Sequence, residues 1–358
     1  FGKTMYMSAS RAEDYAKCPF AYYCKHGLRA LARKPAELDP LQKGIIAHRV
    51  LEHLLRAYPG KQLSDLPREK RLEEIKAVIT EYLDEKMGGM NEKPKRFEYL
   101  FKRLAVVLDE VAERLAAEFQ RSEFIPVAFE LSIGDNKDIP CYEIDLENGS
   151  KMRIRGAVDR VDTYETDGKT YLRVVDYKSS GKAFRLSDVL GGINMQMLIY
   201  LFAIWQNGGQ RFGEILPAGV LYVPANAPTA SLDRNATPEA IQKEKIKRSR
   251  MNGILLGESD SILGMEKGGE GIFIPVSVSN GVCRGDVISL EQMKKLKACV
   301  DNILKETGRA LLNGEIAACP VNQSGKTVCG YCDYGMVCGF ESGMETRRII
   351  DLKHGEAL

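Results

Sequence analysis

The alternation of apolar and polar positions divides the chain into a helical first part and a strand-rich middle. Residues 8–30 (SASRAEDYAKCPFAYYCKHGLRA) predict a short helix capped by Ser8 or Ser10 and broken at Cys18-Pro19, then a second helical piece stopped near Gly27. In 41–58, Ile45, Ile46, Val50, Leu51, Leu54 and Leu55 recur at the spacing of an amphipathic helix that ends at Pro59-Gly60. Residues 66–88 and 96–121 predict charged helices with apolar stripes. The pattern changes at Pro126: segments 126–134, 139–146, 151–164 and 170–178 read as strands separated by turn signals. Helix returns over 186–206, a strand over 214–224, and a long helix over 289–313. The stretch 225–270, with its basic run 243–250 (KEKIKRSR) and several glycines, reads as an insertion, after which 271–277 rejoins the sheet. The expected organisation is an α/β chain with an N-terminal helical region (1–125), a strand-rich core (126–224), a basic insertion (225–270) and a C-terminal part (271–358) that ends in a Cys/Gly-rich tail.

Composition narrows the function little. The 358 residues carry 51 Lys+Arg against 49 Asp+Glu, so any polyanion site must be a local patch. With 44% hydrophobic and 28% charged residues, disorder, collagen and coiled coil are excluded. The apolar runs are too short for a membrane span and no signal peptide opens the chain, so no membrane is expected and the expected compartment is the cytoplasm. The first residue is Phe1, which suggests a piece of a longer polypeptide. The nine cysteines are an odd count without signs of secretion, which favours metal ligation or free thiols over disulfides.

The segment 153–180 carries the candidate chemistry. Asp167-Gly168 is a two-residue hairpin signal between strand-like runs. The register centred on that turn sets Asp159 opposite Asp176 and Asp162 opposite Arg173, with Cα atoms about 4.5–5.5 Å apart. Two ionised carboxylates at that distance repel, and a divalent cation between them removes the conflict; Mg²⁺ suits one or two carboxylates plus waters and phosphate. Strand alternation puts Lys178 on the face of Asp176. Two readings stand: a cation site with a positive group beside it, or the solvated end of a surface hairpin. In the tail, Cys329-x2-Cys332-x5-Cys338 places three thiols at a spacing that converges on one centre, and either Cys319 or Cys18 supplies a fourth.

Gly156-x-x-Asp159-Arg160-x-Asp162, Val175-Asp176-Tyr177-Lys178 and Gln196-x-x-x-Tyr200, in that order, resemble the RecB-like branch of the PD-(D/E)XK nuclease superfamily. An upstream Gly44-x-x-x-His48 matches a further motif and favours His48 over His53 on the same helix. The segment from Ser8 through Arg11, Glu13, Tyr15 and Cys18-Pro19 to Gly27-Leu28 resembles the start of AddB-type nuclease domains, and the likeness runs from about residue 8 to residue 342. It implies a restriction-endonuclease-like fold, a central mixed sheet flanked by helices. It also implies a Mg²⁺- or Mn²⁺-dependent deoxyribonuclease in which His48, Asp159, Asp176 and the Tyr177 carbonyl hold the metal. Lys178 then positions or helps deprotonate the attacking water, and Gln196 and Tyr200 orient the phosphate or brace Lys178. Glu130 resembles a further acidic residue found in some members.

The same likeness implies a 4Fe–4S cluster on Cys18, Cys329, Cys332 and Cys338, with zinc as the other occupant. Cys24, Cys141, Cys283 and Cys299 match no ligand position and are expected to be buried small hydrophobes. Implied partners are single-stranded DNA and an AddA-like helicase–nuclease subunit, in the processing of double-strand breaks for recombination. Lys243, Lys245, Lys247, Arg248 and Arg250 are candidate DNA contacts, a solvated charged loop being the other reading. No GxxxxGK[ST] pattern occurs, so ATP hydrolysis is not expected of these residues. Two other classes stand beside the nuclease: a non-catalytic DNA-binding scaffold, and a zinc-binding interaction domain.

Overall fold

A computed structural model describes residues 2–31, 40–89, 94–178, 184–226, 236–323, 326–341 and 346–349. An eight-stranded mixed sheet runs through the molecule in the order β1 (Thr4–Ser8), β4 (Lys151–Thr166), β5 (Lys169–Lys178), β6 (Ile215–Pro224), β7 (Asn252–Leu256), β10 (Val287–Ile288); β2 (Ile125–Ile133) and β3 (Tyr142–Asp145) also pair with β4. A separate hairpin joins β8 (Val276–Ser279) to β9 (Val282–Gly285). The helices are α1 (Ala9–Lys17), α2 (Pro19–Tyr22), α3 (Pro40–Ala57), α4 (Arg68–Met87), α5 (Lys95–Arg121), α6 (Leu186–Leu190), α7 (Gln196–Asn207), α8 (Gly209–Phe212), α9 (Pro238–Ser249), α10 (Ser259–Met265), α11 (Leu290–Leu312) and α12 (Gly335–Cys338).

Each face of the sheet buries its own core. Met152, Ile154, Leu172, Val174 and Val220 pack beneath α1, α7 and α11, while Tyr171, Val175, Leu221 and Leu255 pack beneath α3, α4 and α5. Strand alternation produces this split, because successive side chains point to opposite faces. α7 is apolar almost all round, with Met197 through Ile204 buried, so it sits in the core between β5 and β6. Those two strands are parallel, which requires such a crossover.

Three expectations about elements change. Residues 1–125 are not purely helical: β1 lies parallel to β4, with Met5 and Met7 facing the core. The stretch 225–270 is not one excursion, because the apolar run after the basic residues returns to the sheet as β7, antiparallel to β6. The strand expected over 271–277 does not rejoin the sheet; Val276 begins β8 and pairs in the separate hairpin.

Candidate active site and cysteine cavity

The β4–β5 hairpin has the register that its turn dictates. Asp167 and Gly168 both take positive φ, 51° and 74°, as a two-residue turn of this type requires. Asp162 pairs with Arg173 and Arg160 with Val175, so the next position sets Asp159 against Asp176. On the other side of β4, Glu130 stands between the ladder pairs Phe129–Arg160 and Leu131–Val158, and so faces Asp159. Glu130, Asp159 and Asp176 therefore form one row across β2, β4 and β5.

The sheet is distorted at this row. Glu130 has φ of 49°, a left-handed conformation that non-glycine residues adopt rarely and often at functional sites. Ala128 and Leu131 bury on the same face, as do Val158 and Val161. Strict alternation would put residues three apart on opposite faces, so both strands change face together at Glu130 and Asp159. β1 pairs with β4 only as far as Arg155, and the β5 ladder stops at Arg160. The acids thus lie where strand partners part, open to side chains from both helical layers.

His48 reaches the row from α3. Its Nδ1 is 3.3 Å from Asp159 Oδ2 and its Nε2 is 2.8 Å from the Tyr177 carbonyl. Ligand atoms of His48, Glu130 and Asp159 lie within 4.8 Å of one another. Lys178 Nζ is 2.5 Å from Asp176 Oδ2 and stands over the Tyr222 ring. That carboxylate oxygen is buried and lacks an aligned hydrogen-bond donor. From the opposite layer comes Tyr200. A Cβ on Gly156 would collide with Tyr200 Oη and the ring edge, so only glycine admits the ring here.

Electrostatics mark the row as unbalanced. Burial pushes Asp159 well above the usual carboxylate range, Asp176 and then Glu130 add to it, and the Tyr177 N–H opposes it. Burial also pushes Tyr200 up to about 12, against a hydrogen bond from Gln196. Glu130 is raised by lost hydration and then by the charge of Glu52. The buried Asp176 oxygen, the Asp159 carboxylate beside it, the His48 imidazole and the Tyr177 carbonyl make an oxygen-rich donor set that fits Mg²⁺ or Mn²⁺.

Beneath the row, Arg160 and Asp162 do different work. Arg160 Nε and one terminal nitrogen donate to both oxygens of Asp162 (2.8 and 2.9 Å), and the other terminal nitrogen donates to Tyr177 Oη at 2.9 Å. Arg173 donates to Asp162 at 2.8 Å and to Glu118 at 2.7 Å. All four charged side chains are essentially fully buried. Two cations balance two anions, and the network anchors the end of β5 that presents the Tyr177 carbonyl and Lys178.

Cys18, Cys329, Cys332 and Cys338 line one small cavity of about 40 Å³, together with Phe20 and Pro320. Cys319 is not among the lining residues, although its neighbours Ala318 and Pro320 are. Cys18 caps α2; burial raises its thiol, while backbone N–H groups of Ala21 and Phe20 pull it down. Spacing does not single out Cys24, yet it lies near Cys332 and Cys338, whose charges raise its thiol after burial. Cys24 and Cys141 are buried as expected, whereas Cys283 and Cys299 are only half-buried. The candidate DNA contacts Lys243, Lys245, Lys247 and Arg248 lie on α9 with Arg250 just after it; Arg248 pairs with Glu244.

Comparison with known proteins decides the family. The model of the PD-(D/E)XK nuclease superfamily matches residues 6–339. The chain belongs to the PD-(D/E)XK nuclease superfamily. Curated relatives are named as subunits of an ATP-dependent helicase/deoxyribonuclease: one from Thermoanaerobacter sp. (strain X514) is 35% identical over 97% of this chain and 31% of its own length. Another, from Acetivibrio thermocellus, is 35% identical over 96% of this chain and 31% of its own length. The chain thus spans about a third of the length of these relatives. Among the described residues no helix is long and apolar enough to cross a membrane.

Proposed function

We propose that this chain is the deoxyribonuclease module of an ATP-dependent helicase–nuclease, hydrolysing phosphodiester bonds of single-stranded DNA with Mg²⁺ or Mn²⁺. The observation that carries the reading is the acidic row across three strands, with His48 on one side and Lys178 on the other. His48, Asp159, Asp176 and the Tyr177 carbonyl would hold the metal, with Glu130 beside them. When bound, the metal neutralises phosphate charge and makes bound water more acidic. Lys178 supplies a positive charge where negative charge builds on the phosphate, and orients the attacking water. Gln196 and Tyr200 close the opposite side and hold the phosphate backbone. The basic groups of α9 would contact phosphates and weaken with salt.

Four thiols around one cavity support a 4Fe–4S cluster with a structural role. Among the described residues no three of these sulfurs lie within 4.8 Å of one another. Thiolates at ~2.3 Å around one zinc ion would stand only ~3.8 Å apart. The whole protein would work beside an AddA-like helicase subunit in the cytoplasm, processing double-strand breaks for recombination.

The test is a divalent-dependent cleavage assay on single-stranded DNA with the full-length protein. Wild type should cut, and Asp176→Ala and Lys178→Ala should each lose at least about 100-fold in kcat. Cleavage that survives Asp176→Ala would remove the assignment.

A further inference from the structure

The motif that opens the chain contains a buried acid that the reaction does not use. Glu13 is 8% exposed, on α1, and its Oε1 accepts the backbone N–H of Gln196 at 2.8 Å. Gln196 is the first residue of α7, and that helix has no side-chain cap from its own segment. The first N–H groups of a helix lack internal partners and carry the positive end of its dipole, so a carboxylate there satisfies both. One turn further along α1, Ala16 meets the same region. A Cβ on Gly192, whose φ is +79°, would lie 3.0 Å from Ala16 Cβ. Glu13 and Ala16 are three apart, so both contacts come from one face of α1. Asn194, also at positive φ (60°), receives the Tyr222 hydroxyl within that approach.

We infer that Glu13 is a positioning residue for the nuclease reaction: it fixes the start of α7 and thereby the placement of Gln196 and Tyr200 against the acidic row. This rests on the reading of the site given above. The link crosses 183 positions of sequence and joins α1, which Cys18 follows directly, to the helix that bears Gln196 and Tyr200. It needs an acceptor oxygen at that point more than it needs a charge.

The experiment compares Glu13→Gln and Glu13→Ala in the full-length protein. It reads kcat and KM on single-stranded DNA, Mn²⁺ affinity, thermal midpoint and hydrogen exchange at the Gln196 amide. Glu13→Gln keeps an acceptor and should stay within about threefold of wild type in kcat. Glu13→Ala should lower kcat at least about tenfold, with KM and Mn²⁺ affinity within about threefold, because small misplacements of catalytic groups cost that much. The Gln196 amide should lose protection in Glu13→Ala and keep it in Glu13→Gln. Wild-type kcat in Glu13→Ala, equal damage in both variants, or a loss that vanishes at temperatures where the variant is fully folded would overturn the inference. Should wild type itself fail to cut, the nuclease reading falls, and the amide exchange still decides whether Glu13 anchors α7.

Discussion

Asp159 is held among acids and away from water, and both conditions disfavour its charged form. The consequence has a definite sign. Its folded-state pKa lies above the unfolded value of 3.8, so the folded protein binds this proton more tightly than the unfolded chain does. Without divalent cations, stability is therefore present at low pH and falls as pH rises from about 4 towards about 9. Asp159→Asn should raise the metal-free thermal midpoint at pH 8, by the equivalent of roughly 1–3 kcal/mol, and should change it little at pH 4. Unfolding scans at the two pH values check this; a lower midpoint at pH 8 would contradict it. Residue spacing alone revealed this pair, because Asp167-Gly168 fixes the register and the register fixes which acids meet. Glu130 was less legible. Its place in the row depends on how β2 pairs with β4, and on a positive φ that no local turn signal announces.

At the scale of elements, the sheet and α7 make the site by close approach. Gly156 leaves room for the Tyr200 ring, and a methyl group there meets the hydroxyl. Gly156→Ala should lower kcat at least about tenfold and cost about 1–3 kcal/mol through overpacking, read by single-strand cleavage and denaturant unfolding. An unchanged kcat would show that the ring is free to move without consequence. The buried Arg160–Asp162–Arg173–Glu118 network makes a second test. Arg173→Ala leaves two acids short of a partner and should cost about 3–5 kcal/mol, whereas replacing an exposed pair such as Lys102–Glu98 should change stability far less, because solvent screens it. The long amphipathic and strand patterns were readable because burial on one face leaves a period in the sequence. β1 and β7 are five residues each, too short for a period to stand out, and their places depend on partners far away in the chain.

At the scale of the molecule, the cysteine cavity joins residue 18 to residues 329–338. A cluster bound there would close a loop of that length and contribute on the order of 4–5 kcal/mol in the cross-link entropy model. Cys18→Ser should lose iron and visible absorption in anaerobically purified protein and lower the thermal midpoint, while Cys319→Ser should leave all three unchanged. Iron retained in Cys18→Ser would place the fourth ligand elsewhere. The tail spacing indicated three of the thiols; the choice between Cys18 and Cys319 needs the packing of α2 against the tail, which spacing does not encode.

The claim on which the rest depends is that the acidic row holds a divalent cation for hydrolysis. Mn²⁺ titration of wild type and variants, paired with single-strand cleavage, tests it most directly. Wild type should bind Mn²⁺ and cut; His48→Ala, Asp159→Ala and Asp176→Ala should lose both; Lys178→Ala should bind Mn²⁺ and fail to cut. Mn²⁺ binding and cleavage that persist together in Asp159→Ala and Asp176→Ala would contradict the account.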